Sequence, residues 1–106
     1  MPEDERATAR EVSDTSCPDG NGCFWEQADY GGDRMTVGTG SAGSWQPLNG
    51  HDRSAKNRFD NRRIQFGQNL GGGNYQVIGC LNAGNNDSNL GAAIDSFRIG
   101  GPGSSC

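Results

Sequence analysis

Two stretches of this 106-residue chain decide its fold: CFWEQADYGGDRMTV at residues 23–37 and RIQFGQNLGGGNYQV at residues 63–77. Laid one above the other they keep a constant offset of 40, with Phe24 over Ile64, Tyr30 over Leu70, Gly31-Gly32 over Gly71-Gly72, Met35 over Tyr75 and Val37 over Val77. At the same offset Arg58 and Phe59 fall on Arg98 and Ile99. Self-similarity at a fixed period marks a duplicated structural unit. Inside each copy the pattern is strand, turn, strand. Phe24, Glu26 and Ala28 alternate with Trp25 and Gln27 up to a Gly-Gly pair, and Ile64 and Phe66 repeat the alternation before Gly71-Gly72-Gly73. Such period-2 runs read as half-buried strands, and glycine supplies the positive φ that hairpin turns need.

Composition points the same way. Gly contributes 18 residues of 106, about 17%, against roughly 7% in average chains. A helix bundle is excluded on that ground, because each Gly inside a helix costs about 1 kcal/mol relative to Ala. Mean hydropathy is -0.79, and no apolar run approaches the roughly 20 residues of a membrane helix. Net charge is -4. Residues 1–16 hold five acidic groups (Glu3, Asp4, Glu5, Glu11, Asp14) and two basic ones (Arg6, Arg10), whereas the remaining 90 residues hold eight acidic and seven basic groups. That balance lacks the basic footprint of a nucleic-acid binder. All 18 glycines and all four cysteines follow residue 16. The sequence therefore divides into an acidic, flexible arm over 1–16 and one all-β domain over 17–106, with motif one at about 17–60 and motif two at about 61–106.

The four cysteines, Cys17, Cys23, Cys80 and Cys106, lack the paired C-x2-C spacing of zinc sites, and His51 is the one histidine. Disulfides in an oxidising compartment fit better. Three connectivities are possible; Cys17–Cys23, closed by a Pro-Asp-Gly turn, with Cys80–Cys106 tying down the C-terminus, is the favoured one. Met1 leads into an acidic stretch without an apolar signal region, which reads as a mature secreted protein with an initiator Met in place of its signal.

The run of an aromatic, five residues, an aromatic and a glycine pair, Phe24 to Gly32, resembles the Greek-key signature of the βγ-crystallin fold. The cysteine pair just before it, Cys17 and Cys23, is similar to secreted actinobacterial members of the crystallin-fold peptidase-inhibitor family, typified by a metalloproteinase inhibitor from actinomycetes. The resemblance covers residues 17–99. It implies a disulfide-linked sandwich of two Greek keys and a non-catalytic, secreted protein that inhibits an extracellular metallopeptidase and is a monomer on its own. Two other functions compete: an adaptor or structural subunit of a secreted assembly such as a toxin complex, docking through its N-terminal arm, and a degenerate calcium-binding crystallin.

The resemblance also supplies a test for calcium. Crystallin sites take Asn or Asp at the first two positions of a six-residue stretch and hydroxyls at the last two. In the first stretch, residues 51–56, Asp52 survives while Ala55 and Lys56 replace the hydroxyls; in the second, residues 91–96, only Asp95 and Ser96 offer oxygens. Calcium wants six to eight oxygens, so Asp52, Asp95 and Ser96 make at most a weak site. No other cofactor is expected. His51 beside Asp52 is no catalytic pair, since neighbours on an extended segment point to opposite faces, and no nucleophile sits in a G-x-S-x-G context. The chain is not read as an enzyme.

For inhibition, the expected element is a stiff, disulfide-anchored loop. Cys80-Leu81-Asn82-Ala83 is the candidate, with Leu81 as the large apolar residue that thermolysin-type enzymes prefer after the scissile bond. The family's inhibitor carries a tight local disulfide at its reactive bond, from which Cys80 departs. Leu81 facing the core is the plainer reading. Trp45 is an interface anchor if exposed, or a cover over the open end of the sandwich. Glu3, Asp4, Glu5, Arg6 and Arg10 are candidate partner contacts on the arm. The five basic residues between Arg53 and Arg63 read as a solvated face, and the sequon at Asn86 as incidental.

Overall fold

The computed structural model describes residues 15–90 and 94–106, the side chains of 49–51 excepted. The arm contacts expected at Glu3, Asp4, Glu5, Arg6 and Arg10 lie outside those residues. Among the described residues eight strands form: β1 (Gly22–Gln27), β2 (Gly31–Val37), β3 (Gln46–Asp52), β4 (Ser54–Asn57), β5 (Ile64–Gly71), β6 (Asn74–Leu81), β7 (Asn86–Asp87) and β8 (Ile94–Ile99). They build two four-stranded antiparallel sheets, ordered β2-β1-β4-β7 and β3-β8-β5-β6. In each half of the chain the first strand lies between the second and the fourth, while the third crosses to the other sheet. Neither sheet is complete without a strand from the other half.

Alternation along the strands sends one face of each sheet inward. Phe24 and Ala55 from the first sheet meet Ile64, Phe66, Phe97 and Ile99 from the second, with the Phe24 and Phe97 rings 5.5 Å apart. Asn57 seals one end of this core. Its Nδ2 donates to the carbonyls of Arg62 and Leu81, and its Oδ1 accepts the Phe59 N–H, all three at 2.9–3.0 Å. Disulfides join Cys17 to Cys23 and Cys80 to Cys106.

The ladder shifts the repeat. Trp25 lies opposite Ser54 in the first half and Gly67 opposite Ser96 in the second, which is a displacement of 42 on both strands (25 to 67, 54 to 96). The sequence offset of 40 differs by two residues, one full side-chain period, so it keeps the inward Phe24 over the inward Ile64, but beyond the register slip opposite Phe66–Gly67 it lays the buried Val37 on Val77, which is 48% exposed.

The two hairpins diverge. Between β1 and β2 the chain folds over, with Asp29 and Tyr30 at φ 58° and 60°. Ser54 Oγ holds this turn, donating to the Gln27 carbonyl at 2.7 Å and accepting the Tyr30 N–H at 3.0 Å. Tyr30 then stands edge-on to Trp25, 5.1 Å between rings, and Trp25 is fully buried on the outer face of its sheet. Between β5 and β6 the turn is a two-residue one at Gly72-Gly73, both with positive φ, as a type I′ hairpin requires. Leu70, which the offset of 40 pairs with Tyr30, is left 62% exposed.

Candidate functional site

Leu81 belongs to the core. It ends β6 only 7% exposed, and its carbonyl is held by Asn57. Of the two readings of Leu81 the core-facing one matches the structure, not the one in which Cys80–Ala83 offers it to a protease cleft: the alternation that places Gly79 and Leu81 on the Phe66 side turns the leucine inward. Asn82 is exposed, but its Oδ1 accepts the Cys106 N–H at 2.7 Å, and Ala83 lines an open groove of about 350 Å³ with Asp19, Arg58 and Asp60.

The Cys17–Cys23 loop is exposed at its tip yet committed to holding the fold. Gly20 N–H donates to the Arg58 carbonyl at 2.8 Å, Arg58 N–H to the Asn21 carbonyl at 2.9 Å, and the Arg58 guanidinium bridges Asp19 at 2.8 Å. The other basic residues of 53–63 are similarly dispersed. Lys56 donates to the Thr15 carbonyl, Arg62 to that of Gly100 and Arg63 to that of Ser105, so they tie separate segments together instead of forming an anion patch.

Trp45 is half-buried on the outer face of the β3-β8-β5-β6 sheet. Its ring stacks on Tyr75, 4.9 Å apart and 5° from parallel, and the Arg98 guanidinium lies 4.9 Å from its centroid. Arg98 is itself fixed by Gln65 Oε1, at 2.9 Å from Nε and 2.6 Å from Nη2. The opposite sheet carries a counterpart: Lys56, which corresponds to Arg98 at the displacement of 42, sits 4.5 Å from the Tyr30 centroid and 5.8 Å from that of Trp25. Sequence reasoning singled out Trp45 but neither partner in its stack. The displacement of 42, which carries Lys56 onto Arg98, is the signal that links the two cations.

Among the described residues no three His, Cys, Asp or Glu side chains come together to hold a metal ion. Asp52 is buried opposite Ile94, while Asp95 Oδ1 accepts the Asn69 N–H and the Ser96 hydroxyl, both at 2.9 Å. Burial, and then the charges of Asp87 and Asp29, push the Tyr30 phenol above its ordinary value.

The model of peptidase inhibitor family I36 matches residues 11–77, more than half of the chain. The chain belongs to peptidase inhibitor family I36. The matched span holds the Cys17–Cys23 bridge, the whole first half and the β5–β6 turn; Cys80 and Cys106 lie beyond it. No curated protein and no solved structure matches the chain. Membership implies a peptidase as the partner, and a family of inhibitors is not a catalytic one. No helix among the described residues is long and apolar enough to cross a membrane.

Proposed function

We propose that this I36 member is a secreted, non-catalytic inhibitor of an extracellular metallopeptidase. The observation that carries the reading is the family match over residues 11–77. Two features support it. A protein held by two disulfides suits an oxidising, extracellular setting, and such a scaffold keeps its surface preorganised, which lowers the entropic cost of binding an enzyme. The metallopeptidase class is supported by the resemblance of the Cys17–Cys23 and Phe24–Gly32 run to the actinobacterial inhibitors.

Titrating the oxidised protein into thermolysin and into subtilisin, each with a fluorogenic peptide substrate, tests both parts. The expected outcome is dose-dependent loss of thermolysin activity with subtilisin spared. Inhibition of subtilisin alone would withdraw the metallopeptidase class, and inhibition of neither would remove the proposal.

A further inference from the structure

Four strands lie at sheet edges, and three of them carry features that block pairing with another chain. β2 bears Asp33 and Arg34 and loses register with β1 between Trp25 and Gln27. β7 is two residues long. β3 contains Pro47 and breaks its ladder between Pro47 and Asp52. Charges, prolines, short strands and bulges are the usual protections of an exposed edge.

The fourth edge, β6, is different. It runs for eight residues without a proline, and the whole β5–β6 hairpin, Ile64 to Leu81, contains no charged residue in a chain that is 21% charged. The two exposed large hydrophobic residues among those described, Leu70 and Val77 (62% and 48%), are both on it. Its base is covered where Cys80 bonds to Cys106, and its register with β5 slips once, opposite Phe66–Gly67. Outward of that slip, no described strand pairs with the outer side of Asn74–Val77. Among the described residues β8 pairs with β5 over Ile64–Gly67, and the outer hairpin continues from there as a two-stranded ribbon. The ribbon is braced: the Asn69 N–H is held by Asp95, and Tyr75 stacks on Trp45, whose ring also lies against Arg98.

We propose that this ribbon is the surface that engages the peptidase, with the Asn74–Val77 edge adding a strand to the rim of the substrate cleft and Leu70 and Val77 supplying apolar contact. The proposal rests on the inhibitor reading above and names its site. Peptidases hold substrates as extended strands, and an open edge offers the same row of N–H and C=O groups. An uncharged ribbon enters a cleft without stripping water from ions. Trp, Tyr and Arg beside the edge are the residue types that anchor interfaces. The Cys17–Cys23 loop is the weaker candidate, because its backbone and Asp19 are already engaged with Arg58.

Full-length oxidised protein, wild type and the variants Val77→Lys, Leu70→Ser and Asp19→Ala, is assayed against thermolysin, subtilisin and trypsin, with size-exclusion light scattering on each. Wild type should inhibit at least one enzyme. Val77→Lys should weaken that inhibition at least tenfold and Leu70→Ser several-fold, while Asp19→Ala changes it less than twofold. Amide exchange on the wild-type complex, which needs no variant to fold, should show new protection at residues 74–77. Undiminished inhibition by Val77→Lys, or new protection confined to residues 17–23, overturns the proposal and leaves the inhibitor reading standing. So does a wild-type dimer that Val77→Lys converts to a monomer with unchanged inhibition. Wild type that inhibits none of the three enzymes takes both readings down.

Discussion

Asn57 is the residue on which the end of the core depends. It satisfies two carbonyls and one N–H, and it is itself fully buried. Replacing it with alanine deletes all three bonds, and the two buried ones, to the Leu81 carbonyl and the Phe59 N–H, cost about 1–3 kcal/mol each when left unmade. Asn57→Ala should therefore destabilise by about 3 kcal/mol or more in urea unfolding; a loss below 1 kcal/mol would mean water replaces the amide. Tyr30 gives a pH test of the folded-over hairpin. Its phenol binds a proton more tightly in the folded state, so the stability it contributes is fully present below the ordinary tyrosine value of about 10 and is lost as pH rises through the higher folded value. The urea midpoint of wild type should fall as pH rises above about 10, and Tyr30→Phe should remove part of that fall. Parallel curves for the two proteins would refute the assignment. Leu81 teaches a related lesson at this scale: its chemistry suits a protease pocket, but strand alternation turns it inward, as the plainer reading of the sequence has it.

At the scale of elements, the repeat was legible before its register was. Matching at 40 and pairing at 42 differ by one pleat, so Phe24, Ile64 and Phe66 read as inward on either count. The hairpins were not equally legible. Gly31-Gly32 and Gly71-Gly72 look alike in sequence, yet only the first turn has a serine positioned to hold Asp29 and Tyr30 in the left-handed region; Ser96 in the second half donates to Asp95 instead. A long-range hydrogen bond between residues 27 apart separates the two outcomes, and no local pattern records it. The same applies to the bulge in β6, which is possible because Gly67 has no side chain. A Cβ there would collide with the Gln76 carbonyl, a backbone atom that cannot step aside. Gly67→Ala should cost about 1–3 kcal/mol through the forced shift. It should also reduce inhibition, since the bare edge begins at that bulge. A variant with unchanged melting temperature would show that the ribbon adjusts freely.

For the whole molecule, hydrophobic residues make up 31% of the chain, and the buried cluster joining the sheets is correspondingly small. In domains of this kind covalent links stand in for missing core. The two bridges do unequal work. Cys80–Cys106 closes a separation of 26 residues and Cys17–Cys23 one of 6. On the chain-entropy account the longer loop restricts the unfolded ensemble more, by about 3.5 kcal/mol against about 2 kcal/mol. The position of each bridge sharpens the contrast. The short one clips the start of β1 to the preceding loop, whereas the long one fastens the C-terminus across the base of β6, where Cys106 and Asn82 also share a hydrogen bond. Cys80→Ala with Cys106→Ala should lower the melting temperature by more than 10 °C, at about 4–8 °C per kcal/mol for a domain of this size. Cys17→Ala with Cys23→Val, which keeps the buried volume at position 23 filled, should lower it by less. Because the long bridge also sets the boundary between the covered base and the bare end of β6, its removal should extend rapid amide exchange from residues 74–77 down to 79–81. Equal melting shifts for the two pairs, with no spread of exchange along β6, would show that loop length does not rank them and that the C-terminal segment holds its place without the bond.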